Sequence, residues 1–374
     1  MKNKIVISIA TVVVCGLMVI SSCKKENNSD PYPNSRIDIV LNEIPFPTEK
    51  FMRVGYTLKT WEYEKDGFKL SKIIVINDDT KDELMEFKSE DIRRIYKEPI
   101  SPNPFFDWNT LDSYYISIQV PIALSTNLPS SISHKLVLID TVNNMEVVFD
   151  GGVVIPRKDG SPLEIVSPVK GEGLLFYNQS TCLYHFDAIL FLKGSIFSPE
   201  RFAFDNMKLN PEFNDTYVGD PTKNESYVIY RDTLFAVADS KVVHVQDGRP
   251  ENSGNLQDIE FNTADEYGGN YLTIEIDYDK YAFYAHIIPG SFLVNEGDIV
   301  NEGDPIALLG NSGNSTEPHL HFHVSNSPDL WEANGIPIVL KEYLKIAELY
   351  TGFIDPVVIN NAMMEQFDVV NIYY

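Results

Sequence analysis

The chain has 374 residues, room for two domains with a sizeable core each, which excludes a mini-protein and a disordered chain. Its 44% hydrophobic and 22% charged residues, with 20 Tyr and 21 Phe, suit packed β-rich domains better than charged helices. Lys and Arg number 30 against 54 Asp and Glu, a formal net charge of −24 that repels phosphate backbones and argues against a nucleic-acid partner.

Lys2 and Lys4 precede a 16-residue apolar run from Ile5 to Ile20, of secretory-signal length and short of the ~20 residues a spanning helix needs. Residues 1–22 therefore read as an export signal. The run ends in Ile20-Ser21-Ser22-Cys23, which resembles a bacterial lipobox and implies lipidation of Cys23. Residues 23–36 are polar and Pro-containing, a tether. The expected location is the cell envelope, anchored by lipid to a bacterial membrane, taken as the outer one, with the body facing the periplasm or the surface. Cys15 and Cys23 fall in this segment, and Cys182 stands alone in the body, so no intramolecular disulfide framework is available.

Residues 37–160 show β-rich runs at Arg53–Leu58, Ser71–Ile76, Tyr114–Val120 and Lys135–Ile139, with breakers at Asn77-Asp78-Asp79 and from Pro99 to Pro104. This predicts an accessory β-sandwich of immunoglobulin-like type. Its one histidine, His134, reads as a structural hydrogen-bonder. Pro162 and Pro168 mark the crossing into a second domain, 161–345. In the remaining stretch, a C-terminal extension over 346–374, Val357–Ile359 and Phe367–Ile372 read as strands, whereas Lys341–Leu349 has a helical look.

Six of the seven histidines lie from His185 to His323, a concentration that points to a metal. The densest segment is Gly310-Asn311-Ser312-Gly313-Asn314-Ser315-Thr316-Glu317-Pro318-His319-Leu320-His321-Phe322-His323-Val324, a Gly/Asn/Ser loop running into a strand. Alternation puts His319 and His321 on one face, where one can ligate a metal while the other works on water, and His323 continues that face. Upstream, Asn295-Glu296-Gly297-Asp298 and Asn301-Glu302-Gly303-Asp304 read as hairpin turns in which Gly supplies positive φ.

The Gly310–Val324 segment resembles the hallmark of the lysostaphin-type, or LytM-like, zinc metallopeptidases, G-x-T-G-x-S-T-G-P-H-L-H-F. Tyr281-Ala282-Phe283-Tyr284-Ala285-His286 is similar to the family's strand ending in Y-A-H, and Ala236–Val243 to its A-x-x-D-G-x-V strand. The resemblance spans 161–345 and implies an all-β chain in which the sandwich is followed by an antiparallel β-sheet peptidase domain with a zinc groove. It also implies that His321 is a zinc ligand, and that His319 and His286 polarise water and stabilise the tetrahedral intermediate. The family's first ligand pair is spaced H-x-x-x-D. The candidate aspartate is Asp205, but Arg201 stands four residues before it. A branch of the family is similar here, with R-F-A-x-D and its histidine about twenty residues upstream, which makes His185 the first ligand. Two strands joined at Lys193-Gly194-Ser195 are expected to bring it to Asp205. Glu200 is the substitute oxygen ligand if His185 stays away, and Cys182-x-x-His185 is a further pair able to hold metal, although Cys182 reads better as a lone buried thiol. His244 is read as facing solvent or substrate, and Asp247–Ser253 as a wall of the groove.

The function so implied is that of a lipid-anchored zinc metalloendopeptidase cutting peptide bonds of peptidoglycan cross-links or Gly-rich peptides. The displaced first histidine leaves an alternative: a catalytically degenerate LytM-like domain that binds cell wall or regulates another hydrolase.

Overall fold

Nine strands of the N-terminal region lie in two sheets of the computed structural model, which describes residues 35–89, 94–95, 113–177 and 183–374. The export signal, Cys23, the tether as far as residue 34, the Pro99–Pro104 breaker and Cys182 lie outside the described residues. One sheet holds Ile37–Asn42, Phe46–Pro47, Phe51–Trp61, Arg94–Ile95 and Ser113–Ala123; the other holds Phe68–Asn77, Glu83–Lys88, Ile132–Asp140 and Met145–Val154. Each of the four β-rich runs read from the sequence falls inside one of these strands. The two sheets pack face to face through side chains of both: Trp61 meets Phe149 with ring centroids 4.9 Å apart, and the Tyr56 hydroxyl donates to His134 Nε2 at 2.7 Å. His134 Nδ1–H donates in turn to Gly152 O at 2.6 Å. Burial pushes this ring down to about 4, so it stays neutral in its structural role.

The rest of the body is organised on an eleven-stranded sheet. In spatial order it runs Leu163–Ile165, Ile338–Glu348, Asp368–Ile372, Gly171–Tyr177, Phe204–Lys208, Leu320–Ser325, Lys280–Tyr284, Tyr271–Asp277, Ser240–Gln246 and Ile299–Val300, with Gly352–Ala362 added on Ile338–Glu348. The expectation of an antiparallel sheet needs one correction, because Leu163–Ile165 pairs parallel with Ile338–Leu340. Val242, Leu272, Ile274, Tyr284, Phe322 and Val324 form part of a single fully buried core beneath it, which Phe46 of the N-terminal region joins. The expected positive φ holds at Gly297 and Gly303, at 92° and 84°, but the turns do not close hairpins, because Ile299–Val300 pairs with Ser240–Gln246 and Pro305–Leu308 with Thr233–Phe235.

The expected helix over Lys341–Leu349 is a strand. Its buried set, Tyr343 and then Lys345, Ile346 and Ala347, mimics helical spacing because a bulge at Lys345/Ala347 shifts the register against both neighbours. The C-terminal residues are likewise no appendage: the 345/346 boundary falls inside a strand, and Asp368–Ile372 lies between Ile338–Glu348 and Gly171–Tyr177. Residues 35–374 form one compact unit. Among the described residues, ion pairs that tie the N-terminal region to the large sheet and its loops include Glu43–Arg201, Glu49–Lys345 and Arg53–Glu365, with N···O distances of 2.7, 2.8 and 2.8 Å.

Candidate metal centre

Two neighbouring strands and a helical turn carry the centre. Asp205 on Phe204–Lys208 is the register partner of His321 on Leu320–Ser325, so two adjacent antiparallel strands present the carboxylate and the imidazole side by side. His321 Nδ1 lies 3.0 Å from Asp205 Oδ1. His185 arrives differently from the expectation. It stands on a single helical turn, Leu183–Phe186, and the strands Leu190–Leu192 and Ser195–Phe197 that flank Lys193-Gly194 form a separate small hairpin. Its Nε2 lies 3.8 Å from Asp205 Oδ2.

His185, Asp205 and His321 thus offer ligand atoms within 4.8 Å of one another, all buried. Two imidazole nitrogens and one carboxylate oxygen make the donor set that zinc takes in catalytic sites, where three protein ligands leave a position open. The second ring nitrogen of His185 donates to Ala203 O at 3.3 Å, which fixes the tautomer with Nε2 turned to Asp205. Burial alone would raise the Asp205 carboxyl, yet His185, His319 and His321 around it hold it well below the usual carboxylate range. Burial works against a charged His321 too, but its bond to Asp205 and the charges of Glu200 and Asp205 prevail and lift the ring above its ordinary pKa. At His185 burial outweighs Asp205 and the ring titrates low, as a neutral ligand requires. Glu200 stays outside the cluster, 3.9 Å from His321 Nε2 on the groove wall.

His319 and His286 stand beside the cluster with ring centroids 4.6 Å apart. His319 Nδ1–H donates to Glu317 O at 2.7 Å, and its Nε2 lies 3.7 Å from Asp205 Oδ1. His286 Nδ1–H donates to Ser312 O at 2.7 Å. Both rings are therefore held as the tautomer with Nε2 as base. Burial, then the neighbouring His319 and His321, push His286 well below its ordinary pKa against the opposing pull of Asp205. His286 also has φ +65°, a left-handed conformation rare for a residue bearing Cβ and frequent at functional sites. The backbone bonds His286 N to Gly268 O and Gly310 N to His286 O hold it there.

The loop that carries these carbonyls is packed without slack. Ser312 accepts from Asn270 N and donates to Ile287 O. A Cβ on Gly269 would sit 2.5 Å from the Ser312 carbonyl carbon. Asn252, 1% exposed, directs its amide at Asn311 O, Gly313 O and Ser315 O. The Asp247–Ser253 segment was read as a groove wall; through Asn252 it is instead the support of the histidine loop. His244 faces neither metal nor groove: its Nδ1 lies 3.0 Å from Glu296 at the surface. His323, unassigned by sequence, is buried with Nδ1 3.2 Å from His321 Nε2.

A groove of about 530 Å³ opens over the histidines, walled by Tyr267, Phe283, Leu330 and Trp331 on one side. A second hollow of about 490 Å³ shares Asp205, Thr316 and His319 with it and runs on past Asp215 and Glu317.

Residues 231–334 match the family model described as Peptidase family M23. The chain carries a peptidase family M23 domain. His286, His319 and His321 lie inside the matched M23 stretch, whereas His185 and Asp205 precede it. Over 58 residues the chain is 45% identical to the peptidoglycan DD-endopeptidase ShyB of Vibrio cholerae serotype O1, covering 16% of this chain and 13% of that protein. Over 56 residues it is 45% identical to an uncharacterized metalloprotease of Buchnera aphidicola subsp. Baizongia pistaciae, covering 15% and 14%. The chain spans about a seventh of the length of the curated relatives it matches. Similar solved structures include the catalytic domain of lysostaphin from Staphylococcus simulans, 24% identical over 31% of this chain and 81% of that one at a TM-score of 0.20. A zinc containing peptidase from Vibrio cholerae is 15% identical over 80% of this chain and 83% of that one, at a TM-score of 0.23.

Proposed function

We propose that the chain is a zinc metalloendopeptidase hydrolysing peptide bonds of peptidoglycan cross-links or Gly-rich peptides, exported and anchored to the cell envelope through a lipid on Cys23. The observation that carries this reading is the convergence of His185, Asp205 and His321 with His286 and His319 at the floor of one open groove. The M23 match supports the reaction class. The continuation of the groove past Asp205 and His319 suits an extended peptide lying across the cluster with side chains in both hollows.

His185, Asp205 and His321 would hold the metal. When bound, zinc supplies a Lewis acid that makes water nucleophilic near neutral pH and polarises a carbonyl. The chain's own work falls to the two outer histidines. With Nδ1–H committed to Glu317 O, His319 Nε2 accepts a proton from the attacking water and later passes it to the leaving amine. His286, kept neutral with its Nδ1–H committed to Ser312 O, presents Nε2 as a second acceptor that orients the attacking water, and it can donate to the oxygen that gains charge only after taking up a proton. Side chains of Tyr267, Phe283, Leu330 and Trp331 exclude water from one flank.

The test is zinc content and hydrolysis on one preparation. Wild type should hold one zinc per chain and cleave cross-linked peptidoglycan, and His185→Ala should lose both. Wild type that holds zinc but releases no peptide fragments would move the reading to a cell-wall binder or regulator of another hydrolase.

A further inference from the structure

Arg201 occupies the position where the H-x-x-x-D spacing would put a ligand, and it is 1% exposed. A guanidinium does not lose its proton and cannot bind metal, so this buried charge needs another reason to be there. Its Nη1 donates to Phe186 O at 3.1 Å, and its plane stacks over the Phe186 ring at 3.8 Å. Phe186 is the residue after His185 and ends the same helical turn. On the far side, Arg201 Nε is 2.7 Å from Glu43 Oε1, a carboxylate from the loop between the first two N-terminal strands. The same N-terminal sheet clamps the turn directly: a Cβ on Gly55 would meet the Phe186 ring at 3.0 Å. The helical turn has only four residues and too few internal hydrogen bonds to hold its own shape.

We infer that Arg201, gripped by Glu43, is a positioning residue for the first metal ligand, fixing the His185 turn by a carbonyl bond and a stack on Phe186. This makes a side chain of the N-terminal region a working part of the metal centre. The inference rests on the proposed metal site. In this chain the position left by one ligand serves to aim its replacement.

The test measures Co²⁺ and Zn²⁺ affinity of the full chain by chelator competition, the visible absorption of the Co²⁺ form, and the thermal midpoint. Arg201→Lys keeps a cation for Glu43 but loses the planar stack and the reach to Phe186 O. It should weaken both metals about tenfold or more and change the Co²⁺ spectrum. The double variant Glu43→Gln/Arg201→Met, which leaves neither charge buried alone, should do the same. Glu365→Gln cuts another ion pair of the same interface, Arg53–Glu365, and should leave affinity and spectrum as in wild type. Wild-type affinity and spectrum in Arg201→Lys, or in the double variant should Arg201→Lys fail to fold, would overturn the inference, as would an equal loss in Glu365→Gln. A wild type that binds neither metal would instead overturn the underlying metal-site reading, and this inference with it.

Discussion

Asn252→Ala separates the histidine loop from the metal ligands. The substitution takes the amide donors away from Asn311 O, Gly313 O and Ser315 O, which they meet at 3.0, 2.8 and 3.0 Å. Asn311 O keeps the Asn252 backbone N–H, and Gly313 O keeps that of Ser315, so the full loss falls on Ser315 O. On the other face, Asp258 N and Ile259 N lose the Oδ1 acceptor. Each fully buried group left unsatisfied costs ~1–3 kcal/mol, and with two of the three only partly buried the sum comes to about 2–4 kcal/mol. The same loop holds His319 through Glu317 O and Ser315 Oγ, and His286 through Ser312 O. A shift of ~1 Å in these rings is worth about 10²-fold in turnover. Denaturant unfolding and peptidoglycan turnover should therefore both fall, while Zn²⁺ affinity stays within about threefold because the ligands do not hang on Asn252. An Asn252→Ala protein with wild-type midpoint and turnover would refute the support role; lost metal binding would refute the separation.

Three further outcomes follow from the same geometry. His319→Ala should retain zinc and lose hydrolysis, whereas His321→Ala should lose both, and zinc at full occupancy in His321→Ala would sink that ligand assignment. Lys345 is buried among Glu49, Glu348 and Asp368, so Lys345→Met leaves carboxylates without their cation and should cost about 3–5 kcal/mol by denaturant titration. Burial raises Asp368 to about 6 in spite of Lys345, and a carboxyl raised on folding contributes stability below its unfolded pKa that is lost as pH rises through the folded one. Asp368→Asn should therefore remove a decline of about 3 kcal/mol between pH 3 and 7 that wild type shows in comparison, and parallel pH profiles would contradict it.

Much of the centre was legible because its chemistry is local. The alternation through His319, Leu320 and His321 at the entry of a strand fixes a shared face from spacing alone, and the turn glycines announce their positive φ. Asp205 and His185 were named correctly as neighbours, but the route between them was not. A four-residue helical turn leaves no periodicity to read, so a strand was the natural expectation there. Lys341–Leu349 misled for the opposite reason, since its bulge manufactures a helical spacing within a strand. Arg201 and Asn252 were opaque because their roles depend on partners far along the chain, Glu43 at 158 residues' distance and Asn311 at 59. No window of sequence contains both ends of such a bond.

The sheet order sets a timetable for the metal centre. Asp368–Ile372 hydrogen-bonds to Gly171–Tyr177, which in turn abuts the Asp205 strand. Nearly two hundred residues separate these partners, and such non-local pairings are the slow step of β-rich folding. As the chain emerges from a ribosome, every histidine of the centre is already outside while the strand that braces the neighbour of the Asp205 strand is still to come. The Asp205 strand's neighbour gains this brace only once that late strand has docked, so the frame of the metal centre is completed by the last strand of the sheet to be made.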